Sequence, residues 1–311
     1  MIDLIIPAYN AHDYILNGLY SILLQSCVDK LKVYIVNDCS DRDYSEEIDK
    51  VKDKINIVEL KTPENMGPGF ARQYGVDNSD SEFIIFMDAD DVFYDAYSIE
   101  SLYNELKNND YNYIISDFIE ETPFGNFDHY YNNIWMHGKM YRREFLVNNK
   151  IIFNNSSQNE DTGFNTLTNL CSDNTGYLNR FTYIWKYNEN SITRRNSNEF
   201  EFIGLEGFIK NICWAIKEAG NKNANIDKIA KVTYETMIEV FYNYIKFDYN
   251  EKLCEWSKEL KELFLKYKNR ISRESKEDAM YSMVQKGLDL AGASKILNNR
   301  INFEDFLNLI E

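Results

Sequence analysis

Residues 82–91 read EFIIFMDADD, an apolar run that predicts a buried β-strand and is followed directly by three carboxylates within four positions. Four more apolar runs of strand length occur in the first 120 residues: DLIIP at 3–7, KVYIVN at 32–37, INIVEL at 55–60 and YNYIIS at 111–116. Segments with helical spacing separate them, among them 14–26, 45–52, 69–76 and 98–108. This alternation predicts an α/β fold in which helices flank a mostly parallel central sheet.

Polar residues follow three of the predicted strands: PAYN at 7–10, NDCSD at 37–41 and MDADD at 87–91. The carboxyl ends of parallel strands meet at one edge of a sheet, so these residues are expected to share that edge. Three neighbouring carboxylates repel one another unless a cation or hydrogen-bond donors offset their charge. Mg²⁺ and Mn²⁺ prefer oxygen ligands, so the DADD segment predicts a metal site. The alternative is a solvated acidic turn before the helix at 98.

Three further segments contain candidate functional residues. Asp38 could accept a hydrogen bond from a nucleobase, or belong to an Asx-rich turn. Residues 64–73, ENMGPGFARQ, suggest a phosphate loop but lack both the Walker and the dinucleotide-binding spacing, so we interpret them as a tight turn followed by a helix whose Arg72 faces the same edge. Glu160 and Asp161 stand at a predicted helix start, where they could interact with the helix dipole or supply a general base. The three histidines are scattered, and no nucleophile elbow occurs.

The C-terminal third has helical periodicity at 200–219, 227–247, 251–267, 274–286 and 303–309. We therefore predict two domains, an α/β domain at 1–198 and a helical region at 199–311. The helical region is expected to bind an acceptor or to mediate oligomerisation.

Composition narrows the function classes. The 311 residues contain 44% hydrophobic side chains, as in a folded protein, and carry a net charge of −16, which disfavours binding to nucleic acid or anionic lipid by the whole molecule. No segment approaches the ~20 apolar residues of a membrane span, and the N-terminal residues do not resemble a signal peptide. Five cysteines without a CxxC pair argue against a disulfide framework or zinc site. The expected location is cytoplasmic, either free or peripheral at the membrane.

Taken in order, the motifs resemble those of inverting, nucleotide-sugar-dependent glycosyltransferases of family 2, which have the GT-A fold. The resemblance covers about residues 1–195. Its motifs are IIPAYN (5–10), VNDCSDRD (36–43), ENMGPGFARQYG (64–75), FMDADD (86–91), HGKMYRREFL (137–146), ED (160–161) and KYNENSIT (186–193).

The resemblance implies a nucleoside pocket lined by Pro7, Ala8, Tyr9 and Asn10. By the same resemblance Asp38 recognises the base. Arg72 matches a basic residue near the base and ribose.

Asp88 and Asp90 match the two acids of the DxD motif. The resemblance implies that Asp90 is the direct metal ligand and that Asp88 lies closer to the ribose and metal-bound water. Asp161 matches the catalytic base, with Glu160 as the neighbouring candidate. The implied cofactor is Mn²⁺ or Mg²⁺.

The implied reaction moves a hexose or N-acetylhexosamine from a UDP-sugar to a hydroxyl group of a cell-surface glycan or glycopolymer. Asn37 and Cys39 depart from the family's Asp-Asp-Gly-Ser sequence, which leaves uridine favoured by family habit only. Lys139, Arg194 and Arg195 could contact a diphosphate or a lid, or cap helices at the surface.

Two other functions stay open at this point. One is a viral-type transferase that adds sugar to a modified DNA base, using a basic C-terminal face formed by Lys258, Lys261, Lys266, Lys268, Arg270 and Arg273. The other is a non-catalytic nucleotide-sugar-binding protein whose helical tail forms a homo-oligomer.

Overall fold

The computed structural model describes residues 1–154, 156, 158–189, 197–289 and 301–310. The chain divides into two compact units, Met1–Arg195 and Asn196–Glu311.

The first unit is built on a nine-stranded sheet. Its strands are β1 (Ile2–Ala8), β2 (Leu31–Asn37), β3 (Asn56–Lys61), β4 (Phe83–Phe86), β5 (Val92–Phe93), β6 (Tyr113–Thr122), β7 (Gly125–His129), β8 (Lys139–Arg142) and β9 (Thr175–Trp185). The order is β3-β2-β1-β4-β8-β6-β9-β5, with β7 paired to β6. β3, β2, β1 and β4 are mutually parallel, so PAYN, NDCSD and MDADD follow neighbouring strands at one edge.

The antiparallel strand β8 separates β4 from β6, and β6 then pairs in parallel with β9. The β6–β9 register shifts twice, between Ser116 and Phe118. Irregularities of this kind bend a strand and change where its side chains point. Short β5, just after the acids of 88–91, closes the sheet by pairing with the end of β9.

Six helices connect these strands: α1 (Ile15–Leu23), α2 (Ser45–Ile48), α3 (Pro68–Asp77), α4 (Ser98–Asn108), α5 (Arg143–Asn148) and α6 (Glu160–Cys171). α1 and α4 bury Ile15, Leu19, Leu102 and Leu106 against the strands. The predicted α/β fold with a mostly parallel sheet is confirmed. Two of the helix predictions in this unit extend too far: the helix predicted at 14–26 ends at Leu23, and the one predicted at 45–52 ends at Ile48, after which residues 49–54 form turns with both i→i−3 and i→i−4 hydrogen bonds.

The described residues of the second unit form helices: α7 (Ser197–Asn221), α8 (Ile226–Lys246), α9 (Glu251–Trp256), α10 (Lys258–Tyr267), α11 (Arg273–Asp289) and α12 (Phe303–Leu309). The single helix predicted at 251–267 is therefore wrong, since it is two helices that meet at Ser257. The buried Ser257 hydroxyl donates to the Leu253 carbonyl oxygen at 2.6 Å. Such side-chain hydrogen bonds compete with helical ones and bend or end helices. Among the described helices, none has the length and apolarity needed to cross a bilayer.

Candidate active site

The acids that follow β4 are held by the end of β9. Asp91 is fully buried, and its two carboxylate oxygens accept hydrogen bonds from the Tyr183 hydroxyl at 2.7 Å and the Lys186 backbone N–H at 2.8 Å. Tyr183 also accepts from the Asp88 backbone N–H at 3.0 Å. Burial, together with the charges of Asp88 and Asp90, raises the pKa of Asp91 well above its usual range. This acid therefore fixes the turn.

Arg72 connects the acids after β4 to those at the start of α6. Its guanidinium donates to Asp88 Oδ1 at 2.6 Å and to Glu160 Oε1 at 2.7 Å. Burial by itself would lower the pKa of Arg72, but the two carboxylates raise it above its ordinary value. Burial would likewise raise the pKa of Asp88, but Arg72 lowers it. The three side chains thus form a charged bridge between two distant segments, in which Arg72 and Glu160 are buried and Asp88 is partly exposed.

α3 carries Arg72 and approaches α6 closely. A Cβ atom on Gly69 would lie 2.7 Å from Glu160 Cγ, so only glycine lets the two helix starts pack at this distance. Gly67, which precedes α3, has a φ of 87°. These two glycines explain the Gly-Pro-Gly sequence of 67–69, which places the helix bearing Arg72 rather than forming a phosphate loop.

Asp161 lies in the first turn of α6, next to Glu160. Burial and then the Glu160 charge raise its pKa to about 7, against the opposing attraction of Arg72. Its Oδ1 accepts from the Thr162 backbone N–H at 2.7 Å. A carboxyl group whose pKa lies near neutrality has the proton affinity that suits a general base.

His137 joins the acids, although sequence reasoning set the histidines aside as scattered. One ligand atom each from Asp88, Asp91 and His137 lies within 4.8 Å of the others. Burial lowers the pKa of His137 to about 3, which keeps the imidazole neutral, and its buried Nδ1 has no hydrogen-bond partner among the described residues. Oxygen donors with one neutral imidazole fit Mn²⁺ or Mg²⁺. Asp90, the predicted metal ligand, accepts from Asn188 Nδ2 at 2.9 Å.

Asp38 organises the loop before α3. Its Oδ1 accepts from the Thr62 hydroxyl at 2.8 Å and the Met66 backbone N–H at 3.0 Å, and its Oδ2 accepts from the Gly67 N–H at 2.7 Å. The carboxylate therefore links the end of β2 to the helix that bears Arg72. Its recognition of a base stays a prediction.

The predicted nucleoside pocket combines the loops after β1 and β2. Pro7 and Ala8 end β1, Tyr9 is 54% exposed, and the Asn10 N–H donates to Ser40 Oγ at 3.0 Å. Asn10 and Cys39 both have positive φ angles, of 49° and 63°. Cys39 thus keeps the left-handed conformation that glycine would adopt without strain.

The remaining basic residues are placed differently from one another. Lys139 is buried and donates to the Trp135 carbonyl oxygen, and burial lowers its pKa to about 7 against the attraction of Asp161. It is an interior residue of the first unit. Arg194 and Arg195 lie outside the described residues. In the C-terminal unit, Lys261 donates to the Ile310 carbonyl oxygen, while Arg270 and Arg273 pair with Asp227 and Glu277.

The structure therefore brings Arg72, Asp88 and Glu160 into direct contact, with Asp161 beside them, and connects Asp38 to the same region through the loop before α3. Sequence reasoning missed Tyr183 and His137. Tyrosines near strand ends and single histidines are common in protein cores, so neither residue type indicates a site by itself. The available signal was position: His137 begins the segment HGKMYRREFL, and Tyr183 lies just before KYNENSIT.

Comparison with known proteins gives this geometry a family context. The family model described as glycosyl transferase family 2 matches residues 3–165. TuaG of Bacillus subtilis, assigned to teichuronic acid biosynthesis, is 34% identical over 94 residues, which are 29% of this chain and 36% of that protein. The poly(ribitol-phosphate) β-N-acetylglucosaminyltransferase TarS of Staphylococcus aureus is 31% identical over 91 residues, 29% of this chain and 16% of that protein. The chain thus matches about a third or less of the length of these two relatives.

Solved structures show the same fold. Residues 1–349 of S. aureus TarS, in complex with UDP-GlcNAc, superpose with a TM-score of 0.69 at 16% identity, covering 99% of this chain and 90% of that one. The mannosyltransferase PcManGT of Pyrobaculum calidifontis, with GDP-Man and Mn²⁺, gives a TM-score of 0.55 at 15% identity, covering 70% of this chain and 64% of that one. The fold is therefore GT-A, and since the family model spans more than half of the sequence, this chain belongs to glycosyl transferase family 2.

Proposed function

We propose that this protein is a metal-dependent, inverting transferase that moves a hexose or N-acetylhexosamine from a UDP-sugar to a hydroxyl group of a cell-wall or cell-surface glycopolymer. The proposed sugar and acceptor are supported by the relatives: TarS is named as an N-acetylglucosaminyltransferase of poly(ribitol-phosphate), and TuaG belongs to teichuronic acid biosynthesis. The proposed donor is supported by TarS structures that contain UDP and UDP-GlcNAc.

One observation carries the proposal: Arg72 bridges Asp88 and Glu160, which are 72 residues apart in sequence. Through this bridge the acids of the DADD segment and the acids of α6 belong to one site. A glycosyl transfer with inversion needs groups on the leaving-group side of the sugar and a proton acceptor on the other side. We assign the first role to the segment 88–91 and the second to Asp161.

Asp161 is the proposed general base, which takes the proton from the attacking hydroxyl of the acceptor. Its raised pKa, about 7, gives it a higher proton affinity than an ordinary carboxylate while leaving it ionised in mildly alkaline solution. Arg72 forms ion pairs with Glu160 and Asp88 and lowers the pKa of Asp88, and we assign the gain of the proton to Asp161, whose pKa is raised.

Asp90 is the proposed metal ligand, and its sequence neighbours Asp88 and Asp91 form, with His137, a group that could also hold a metal ion. A bound Mn²⁺ or Mg²⁺ would neutralise charge that develops on the departing nucleoside diphosphate. Pro7, Ala8, Tyr9, Asn10 and Asp38 are proposed to hold the nucleoside. A cytoplasmic location is part of the proposal, and the five free cysteines are consistent with it.

The test is release of UDP from UDP-GlcNAc, with water or a glycopolymer as acceptor, in the presence of Mn²⁺. We expect release by the wild type, none by Asp161→Asn, and unchanged UDP affinity of that variant. For Asp90→Ala we expect weaker Mn²⁺-dependent UDP binding by calorimetry. Near-full turnover by Asp161→Asn would reject the base, and the same UDP affinity with and without Mn²⁺ in the wild type would reject the metal. A parallel panel of GDP- and dTDP-sugars checks the choice of nucleobase.

A further inference from the structure

Two buried side chains tie the start of α6 to the sheet. Tyr141 on β8 donates its hydroxyl to Asn165 Oδ1 at 2.7 Å, and both residues are buried. Tyr141 is itself held in place by ring contacts with Phe86 on β4 and with Phe164. Asn165 therefore accepts its bond from a rigid part of the core.

The amide nitrogen of Asn165 reaches in two directions. It donates to the Ile134 carbonyl oxygen at 2.8 Å and to the Asp161 carbonyl oxygen, one helical turn earlier, at 3.1 Å. Ile134 belongs to the segment that leads to His137, whose Nδ1 lies 3.9 Å from Asp91 Oδ2. Asn165 thus links Asp161, the strand β8 and the segment that approaches the acids after β4.

We propose that the Tyr141–Asn165 pair is a positioning device, which fixes the rotation and depth of the first turn of α6 and so sets where the Asp161 carboxylate points. This inference rests on the proposed role of Asp161 as the base. Neither Tyr141 nor Asn165 contacts the reacting atoms. They act through the backbone of Asp161. The Asn165 amide donates both to the Asp161 carbonyl oxygen and to that of Ile134, and these two hydrogen bonds together fix the orientation of the first turn of α6.

The same helix supplies an internal comparison. Tyr113 on β6 is also buried, stacks on Tyr141 with ring centroids 5.7 Å apart, and points its hydroxyl at Asn169 Oδ1, 3.5 Å away. Asn169 lies one turn beyond Asn165, further from Asp161. The two tyrosine–asparagine pairs therefore resemble each other in chemistry and burial but differ in their connection to the proposed base.

The experiment compares Tyr141→Phe with Tyr113→Phe in the full chain, measuring UDP release from UDP-GlcNAc with Mn²⁺ over a range of donor concentrations. Each variant removes one hydroxyl and leaves the ring. Misplacement of a reacting group by about 1 Å can cost on the order of 100-fold in rate. We expect kcat of Tyr141→Phe to fall about 10-fold with little change in KM, and that of Tyr113→Phe to stay within about twofold of the wild type. Asn165→Ala should lower kcat at least as much as Tyr141→Phe.

Several results would overturn the inference. They are a wild-type kcat for Tyr141→Phe, an equal loss of kcat in both phenylalanine variants, or a change confined to KM. Measuring Asp161→Asn beside them distinguishes a failure of the positioning role from a failure of Asp161 as the base. If Asp161→Asn is inactive while Tyr141→Phe has normal kcat, only the positioning role fails. If Asp161→Asn keeps its turnover, the assignment of the base and the positioning role fail together.

Discussion

Replacing Asp161 by asparagine should abolish turnover and also stabilise the folded protein, and both effects have one cause. The folded protein raises the pKa of this carboxyl from its ordinary value of 3.8 to about 7, chiefly through burial and the neighbouring Glu160. The folded state therefore binds the proton more tightly than the unfolded chain does. The stabilisation of the folded protein by this tighter proton binding is complete below 3.8, the pKa of Asp161 in the unfolded chain, and is lost as the pH rises through about 7.

The magnitude follows from the size of the pKa shift. Each pKa unit corresponds to about 1.4 kcal/mol, so this carboxyl should cost the folded state up to about 4 kcal/mol at pH 8, where it is ionised. The cost should be less than half as large at pH 5, where the carboxyl is protonated in the folded protein but ionised in the unfolded chain. Asparagine carries no charge at either pH, and its Oδ1 can still accept the bond from the Thr162 N–H. The variant should thus have a higher free energy of unfolding than the wild type at both pH values. This advantage should be about 2–3 kcal/mol larger at pH 8 than at pH 5.

Urea denaturation of both proteins at the two pH values measures this difference, and UDP release measures the loss of activity. Active-site residues commonly make a protein less stable than other residues at the same positions would. We therefore expect Asp161→Asn to raise the free energy of unfolding while it abolishes turnover. A stability difference that is the same at pH 5 and pH 8, or a variant that is less stable than the wild type at pH 8, would contradict this prediction.

Four other predictions follow from the site. Turnover should increase as the pH rises through about 7, because Asp161 accepts a proton only when ionised, and a pH profile that is flat from 6 to 8 would contradict this. Gly69→Ala should lower kcat about 10-fold and lower the free energy of unfolding by about 1–3 kcal/mol, because the new Cβ displaces Glu160. The control is Gly220→Ala, whose new Cβ would lie 3.4 Å from its nearest neighbour and which should leave stability unchanged or raised. Equal effects of the two substitutions would argue against the close approach of Gly69 to Glu160. Cys39→Gly should raise the free energy of unfolding by up to about 1 kcal/mol in thermal or urea denaturation, because Cys39 has a φ of 63°, and a loss of stability would contradict the strain. Removal of divalent metal by a chelator should abolish UDP release and added Mn²⁺ should restore it, while activity that persists in the chelator would contradict the metal site.

Much of the fold follows from patterns that act over short distances. The apolar runs of strand length predicted β1, β2, β3, β4 and β6. β1, β2 and β4 are parallel strands buried on both faces, so no polar alternation obscures them, whereas β3 is a partly exposed edge strand whose apolar residues still marked it. The helix at Ser98–Asn108 was predicted with its exact bounds, since its apolar spacing and its ends agree. The break between α9 and α10 at Ser257 was not predicted. It depends on the hydrogen bond of one buried hydroxyl to the Leu253 carbonyl oxygen, which the apolar spacing of 251–267 does not show.

The site was predictable in its residue types and less so in its contacts. Carboxylates at a strand end indicate charge that must be balanced, and the resemblance to family 2 indicated the reaction. Nothing local in the sequence shows that Arg72 joins Asp88 to Glu160, or that Tyr183 supports Asp91 from 92 residues away. These contacts depend on how the antiparallel strand β8 and the shifted β6–β9 pairing bring distant segments together.

The most direct test of the account is a crystal structure of Asp161→Asn with intact UDP-GlcNAc and Mn²⁺. We predict anomalous density for the metal at the carboxylate of Asp90, the uracil between Tyr9 and Asp38, and the anomeric carbon of the sugar facing residue 161. A donor bound elsewhere, or a sugar whose anomeric carbon faces away from residue 161, would contradict the account.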